Sequence, residues 1–223
     1  KYSIVKDLFK EADNTLDFSL SKLILEGPKE ELDLTENTQP AIFLLSYSIF
    51  MTVKKEFNID LNKANFFAGH SLGEYSALTS AGALSFTNTL KILKIRGKAM
   101  QNSFPKGEGG MVAVLGSKID LIEKIIEENK NKYECFIAND NSEGQLVLSG
   151  KINDLEKMMI DLKAASIKSI KLPVSAPFHC KLMNRATLVM KEEIAKLNFD
   201  KSKNILISNV TGKEIFNSND LKD

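Results

Sequence analysis

Two cysteines, two histidines and two arginines are all that 223 residues contain, and each scarcity removes a class of function. Cys135 and Cys180 are too few for the disulfide framework of a small secreted fold, so a reducing compartment is expected. Thirty basic residues nearly cancel 29 acidic ones, leaving a net charge of +1 and no electrostatic excess for nucleic acid. The longest apolar run, residues 41–53, is interrupted by Ser46, Tyr47, Ser48 and Thr52 and stops at Lys54. A bilayer span takes about 20 apolar residues, so no membrane segment is expected. The first residues lack the basic-then-apolar order of a secretory signal. A cytoplasmic location follows, or an organelle if a targeting segment has been removed. Only Arg96 and Arg185 are arginine, so lysine serves wherever a positive charge suffices and an arginine is expected to have a geometric task.

The length suits one large domain, or one domain with a smaller insertion. Apolar spacing predicts helices over residues 2–12 and 19–25. Asn37 or Thr38 can cap a core helix with Pro40 in its first turn, apolar on most sides over 41–53. Residues 65–69 read as a short strand ending at glycine, followed by a helix over 72–81 closed by Gly82 and a second helix over 87–102. Pro105, Gly107, Gly109 and Gly110 then break the pattern. Beyond them the order is strand 111–115, helix 118–129, strands 135–138 and 145–149, helix 153–165 and strand 167–172. That βαββαβ order is the ferredoxin-like split unit, expected as a small domain over 107–172 inserted into a catalytic domain of 1–106 and 173–223. A helix over 181–197 and a strand over 205–208 rejoin the larger domain.

Gly69, His70, Ser71, Leu72 and Gly73 spell GxSxG at the predicted junction of strand and helix. A sharp turn there leaves little room two residues before and after the serine, and glycine at both places removes the clash. The serine oxygen then stands exposed, and the Leu72 amide at the positive end of a helix faces any oxyanion formed beside it. The bare pattern arises by chance in about one chain of this length in ten, so its weight comes from that junction.

A serine hydroxyl needs a base. His70 adjoins Ser71 and its side chain diverges from it in such a turn, which leaves His179 in the proline-framed run PVSAPFHC. Arg96, in KIRGKAM, offers the forked donor pair that matches a carboxylate. The bland alternatives are a surface histidine and an interhelical salt bridge. Arg185 fits the latter better. Lys91, Lys94, Lys98 and Lys181 could form a basic rim for an acidic partner, although such lysines are usually just solvated.

The runs NTQPAIF, AGHSLGEYSALTSAG, RGKAMQ, ANDNSEGQLVLSG and PVSAPFHC, in collinear order over most of the chain, resemble the malonyl-CoA:acyl carrier protein transacylases and the acyltransferase domains of fatty acid and polyketide synthases. The resemblance implies an α/β fold, an α/β-hydrolase-like core carrying a ferredoxin-like insertion. It implies Ser71 and His179 as a catalytic dyad, the Leu72 amide as half an oxyanion hole, and Arg96 as the holder of the malonyl carboxylate. Met100, Asn139 and Phe178 match positions lining the family's acyl pocket, the Phe178 ring leaving little room for an α-branch. Malonyl-CoA and acyl carrier protein are the implied partners, with no metal and no resident cofactor, the phosphopantetheine arriving on the carrier. A monomer is expected. The family's opening strand with its GQGxQ loop, and its closing segment that orients the histidine, have no counterpart in 1–223, which implies truncation at both ends. Two rivals stand beside this reading: a GxSxG esterase or thioesterase, and a non-catalytic remnant that binds carrier protein.

Overall fold

In the computed structural model, which describes residues 2–174, 176–202, 204–215, 220 and 221, the apolar stripe at the start of the chain folds as α1, Ser3–Leu16. Leu8 and Ala12 are its buried residues. Then come α2 (Leu20–Glu26), α3 (Lys29–Leu32) and α4 (Thr35–Glu56), the last being 22 residues long. Leu8, Ala12 and Leu20 share a core with Phe43 and Leu44 of α4, where Phe43 stacks on Tyr47 with centroids 5.9 Å apart.

Helix α4 differs from the sequence expectation in two ways. It begins at Thr35, because Asn37 and Thr38 do not cap it: the Asn37 side chain donates to the Glu31 carbonyl at 2.8 Å and the Thr38 hydroxyl to the Leu32 carbonyl at 2.6 Å. It is also buried on one face only. Phe43, Leu44, Ser48 and Thr52 are covered, whereas Ile42, Leu45 and Ile49 are 45%, 52% and 57% exposed. Those three lie three and four residues apart, on one stripe, so apolar density overstated how much of the helix its neighbours reach.

The strand β1 (Phe66–Phe67) is shorter than the expected 65–69 and leads through residues 68–72 into α5 (Gly73–Ser80). Gly82, with φ 76°, closes α5, and the Ala83 amide donates to the Leu78 carbonyl at 2.8 Å. Helix α6 (Phe86–Ser103) follows, its first turn capped by Ser85 Oγ, which accepts from the Asn88 amide at 3.2 Å.

Next is β2 (Gly109–Leu115), α7 (Ile119–Glu128), β3 (Cys135–Ser142), β4 (Gln145–Lys151), α8 (Ile152–Ala164) and β5 (Lys168–Lys171). The strands pair antiparallel in the order β3, β4, β2, β5. Alternate residues Val112, Val114, Leu146 and Leu148 turn to one face, where Ile122 of α7 and Leu155, Met158 and Leu162 of α8 bury them. Strand β3 runs further than the expected 135–138 because irregularities at 137–139 and 140–142 let it keep pairing.

A 3-10 turn at Lys181–Met183 precedes α9 (Asn184–Ala195), where a single helix over 181–197 was expected. Strands β6 (Ile205–Ile207) and β7 (Glu214–Ile215) complete the chain's elements among the described residues. β6 pairs with β1 in parallel, Phe66 facing Ile205 and Phe67 facing Leu206, and with β7 antiparallel. The chain divides into two compact units, residues 1–98 with 189–223, and residues 99–188. The second is wider than the 107–172 segment of the βαββαβ order, and its added ends share a small apolar cluster of Met100, Phe104, Phe178, Met183 and Ala186. No helix among the described residues is long and apolar enough to cross a membrane, and no group of three or more His, Cys, Asp and Glu among them could hold a metal ion.

Candidate active site

In the first unit the turn between β1 and α5 is as sharp as the motif predicts. Ser71 takes a left-handed φ of 52°, which costs a residue with a Cβ about 1–2 kcal/mol and has to be held by its surroundings. The Gly73 amide donates to the His70 carbonyl at 2.8 Å and the Glu74 amide to the Ser71 carbonyl at 3.1 Å. Leu72 is the N-cap residue of α5, and its amide donates to no group among the described residues.

The two glycines of the motif are not equivalent, contrary to the expectation that both relieve a clash. A Cβ on Gly69 would sit 1.9 Å from the Gly73 carbonyl oxygen, whereas one on Gly73 would meet nothing within 4 Å. Gly69→Ala is therefore expected to cost about 3 kcal/mol or more, since backbone and not a flexible side chain must yield. Gly73→Ala should be neutral or stabilise by up to about 0.5–1 kcal/mol, alanine being the better helix former. Urea denaturation of the two variants checks the contrast, and equal stabilities would remove it.

Arg96 is delivered to the serine by a close helix crossing. A Cβ on Gly97 would lie 2.4 Å from the Glu36 Cα, so α6 touches the backbone of α4 at this point. One guanidinium nitrogen of Arg96 then donates to Gln39 Oε1 at 2.6 Å and another to Ser71 Oγ at 3.4 Å. Gln39 is buried, 3% exposed, and serves as the fixed end of this arrangement. The Tyr75 ring lies 5.9 Å from the guanidinium carbon. Burial pushes the Arg96 pKa down from its ordinary value, while the neighbouring Tyr75 and Glu74 act in the opposite sense. Burial raises that of Tyr75.

The second unit carries the other expected residues. His179 also has a left-handed φ, 59°, at the end of a loop fixed on both sides. Ser149 Oγ donates to the Phe178 carbonyl at 2.5 Å, and Cys180 Sγ to the Pro177 carbonyl at 3.1 Å. Pro177 packs so tightly on Gly109 that a Cβ there would come within 2.3 Å of its ring. Met100 and Phe178 share one apolar cluster. Asn139 stands on β3 opposite Val147, beside the first strand irregularity. Of the lysines considered as a basic rim, Lys94 is engaged by Asn37 at 2.7 Å and Glu36 at 3.5 Å, and Lys181 pairs with Glu134.

Thus Ser71, Leu72 and Arg96 meet in one unit, and Met100 and Phe178 in the other, with His179 next along the chain. Residues 5–219 match the family model of the acyl transferase domain. The malonyl CoA-acyl carrier protein transacylase of Salmonella typhimurium is 37% identical over 213 residues, 95% of this chain and 68% of that protein. The chain belongs to the malonyl CoA-acyl carrier protein transacylase family. Its solved relatives agree in fold as well as in sequence. The transacylase of Coxiella burnetii superposes with a TM-score of 0.93 at 36% identity, over 99% of this chain and 69% of that one. A malonyl-transacylase solved in complex with its type II polyketide synthase acyl-carrier protein gives 0.92 at 32% identity, over 99% and 71%. The α/β architecture is shared with both.

For this transacylase family member, sequence reasoning missed Gln39, although the run NTQPAIF that contains it was recognised. A glutamine inside a buried helix face, immediately before Pro40, was the available signal. Asn209 and Glu74 were missed as well: Asn209 Oδ1 accepts from the Ser71 amide at 3.1 Å, and Glu74 Oε1 accepts from the Asn209 amide at 3.0 Å.

Proposed function

We propose that the protein transfers the malonyl group of malonyl-CoA to the phosphopantetheine thiol of acyl carrier protein through a malonyl ester on Ser71, the step that feeds fatty acid synthesis. One observation carries this reading: the Arg96 fork, tethered to buried Gln39, reaches to 3.4 Å from the Ser71 hydroxyl. A cation held beside a hydroxyl on a strained turn suits an acyl group that ends in a carboxylate.

In the first half-reaction His179 takes the Ser71 proton and Oγ attacks the thioester carbonyl carbon. The carbonyl electron pair moves to oxygen, and the Leu72 amide stabilises that oxyanion. On collapse the C–S bond breaks and the imidazolium returns its proton to the coenzyme A thiolate. The carrier's thiol then gives its proton to His179 and attacks the ester. Ser71 leaves and regains a proton. The role of His179 is supported by its run PVSAPFHC and its left-handed backbone, and that of Met100, Asn139 and Phe178 as acyl-pocket lining by the family match. Acyl transfer of this kind draws on no metal or resident cofactor.

The fold in this reading is an α/β-hydrolase-like core of residues 1–106 and 173–223 with a ferredoxin-like insertion at 107–172, supported by the order of the antiparallel sheet and its two helices. The protein acts as a monomer in the cytoplasm or an organelle. Incubation with malonyl-CoA followed by peptide mass spectrometry should find malonate esterified to Ser71, and addition of carrier protein bearing phosphopantetheine should discharge it. An ester on another residue, or release of free malonate faster than transfer, would overturn the assignment.

A further inference from the structure

The mechanism leaves one side chain beside the nucleophile unexplained. Asn209 follows β6, and the parallel register of β1 and β6 sets Phe67 against Leu206, so the chain leaving β6 arrives beside the chain leaving β1. The turn that presents Asn209 is built around Ser208: its Oγ accepts from the Val210 and Thr211 amides at 3.2 Å each, and its carbonyl accepts from the Gly212 amide at 2.9 Å. Asn209 then enters a closed ring of three hydrogen bonds. The Ser71 amide donates to Asn209 Oδ1 at 3.1 Å, the Asn209 amide to Glu74 Oε1 at 3.0 Å, and the Glu74 amide to the Ser71 carbonyl at 3.1 Å.

The ring decides which amide at the turn is left to do chemistry. Of three successive donors, the Ser71 amide is taken by Asn209 and the Gly73 amide by the His70 carbonyl, while the Leu72 amide has no acceptor among the described residues. A preorganised donor stabilises an oxyanion best when its direction is fixed before charge develops. We propose that Asn209 is a positioning residue: its side-chain oxygen occupies the Ser71 amide, holds the serine in its left-handed conformation and leaves the Leu72 amide aimed at the developing oxyanion. This rests on the reading of Ser71 as the acylated serine. Glu74 braces it by holding the Asn209 backbone from the first turn of α5.

The test measures formation of the malonyl-serine ester by rapid quench in the full chain, comparing Asn209→Ala with Asn209→Asp, which keeps an oxygen acceptor. Asn209→Ala should slow acylation at saturating malonyl-CoA about tenfold, with KM changed less than about twofold, because the loss falls on the transition state. Asn209→Asp should recover to within about threefold of the parent rate, as the same bond can form. Amide hydrogen exchange across residues 70–73 should rise in Asn209→Ala. Should that variant fail to fold, Asn209→Ser, whose hydroxyl is too short to span to the amide, is read in its place. A parent acylation rate in the variant, a loss confined to KM, or no recovery with Asn209→Asp overturns the positioning role. Ser71→Ala separates the two readings: an ester that still forms in it removes Ser71 as nucleophile, whereas its absence beside an unaffected Asn209→Ala removes Asn209 alone.

Discussion

Ser71→Ala should abolish the malonyl ester and lower transfer to carrier protein by about 10⁴- to 10⁶-fold, the scale seen when a serine nucleophile is deleted from an otherwise intact hydrolytic site. The effect is large because the serine is not one donor among several. It stands on a turn whose left-handed φ of 52° is sustained by the Gly69 close approach and by bonds from Gly73 and Glu74. Alanine removes only Oγ, so the turn and the fold should survive, with a melting temperature within about 2 °C of the parent, since the lost contact to Arg96 is long and shared with Gln39. The measurements are ester formation by mass spectrometry and transfer by a coupled thiol assay. Retention of even a tenth of the parent rate would refute covalent catalysis at this position.

Arg96→Ala should lower kcat/KM for malonyl-CoA about 100-fold, roughly 2–3 kcal/mol, while not lowering that for acetyl-CoA. The asymmetry follows from the geometry. The guanidinium is half-buried and tied to Gln39 at 2.6 Å, which holds a second nitrogen 3.4 Å from the Ser71 hydroxyl. On the proposed reading a malonyl carboxylate would complete that fork, whereas an acetyl methyl would leave a partly desolvated cation without an anion. Arg96→Lys should rescue poorly, because a single ammonium cannot bond Gln39 and grip a carboxylate with the same fork. Steady-state kinetics with both thioesters decides the matter. An unchanged malonyl-to-acetyl ratio in Arg96→Ala would show that the carboxylate is recognised elsewhere.

The parts of the site that could be read without coordinates are those whose geometry is local. GHSLG occupies five consecutive residues, and the short strand before it and helix after it could be predicted from the same stretch, so the turn and the reach of Ser71 followed from neighbours in sequence. Arg96 could be singled out because the chain spends so few arginines. Gly73 shows where local reasoning went too far: both glycines looked obligatory, but the close approach points one way, from Gly69 onto the Gly73 carbonyl. The capping expected of Asn37 and Thr38 failed for a related reason. Their side chains found backbone carbonyls of the preceding turn, which propensity alone does not foresee.

Composition, periodicity and motif order were enough to establish an α/β chain with a βαββαβ stretch, a serine on a strand-to-helix elbow, and a forked cation on the second helix after that elbow. The companions of these residues required folding. Gln39 meets Arg96 across 57 residues and Asn209 meets Ser71 across 138, joined by a glycine-permitted helix crossing and a parallel strand register. A hydrogen bond between distant residues leaves no period and no spacing in the chain that carries it. Its partners are chosen by which backbones can approach closely enough, and that is a property of packing in three dimensions.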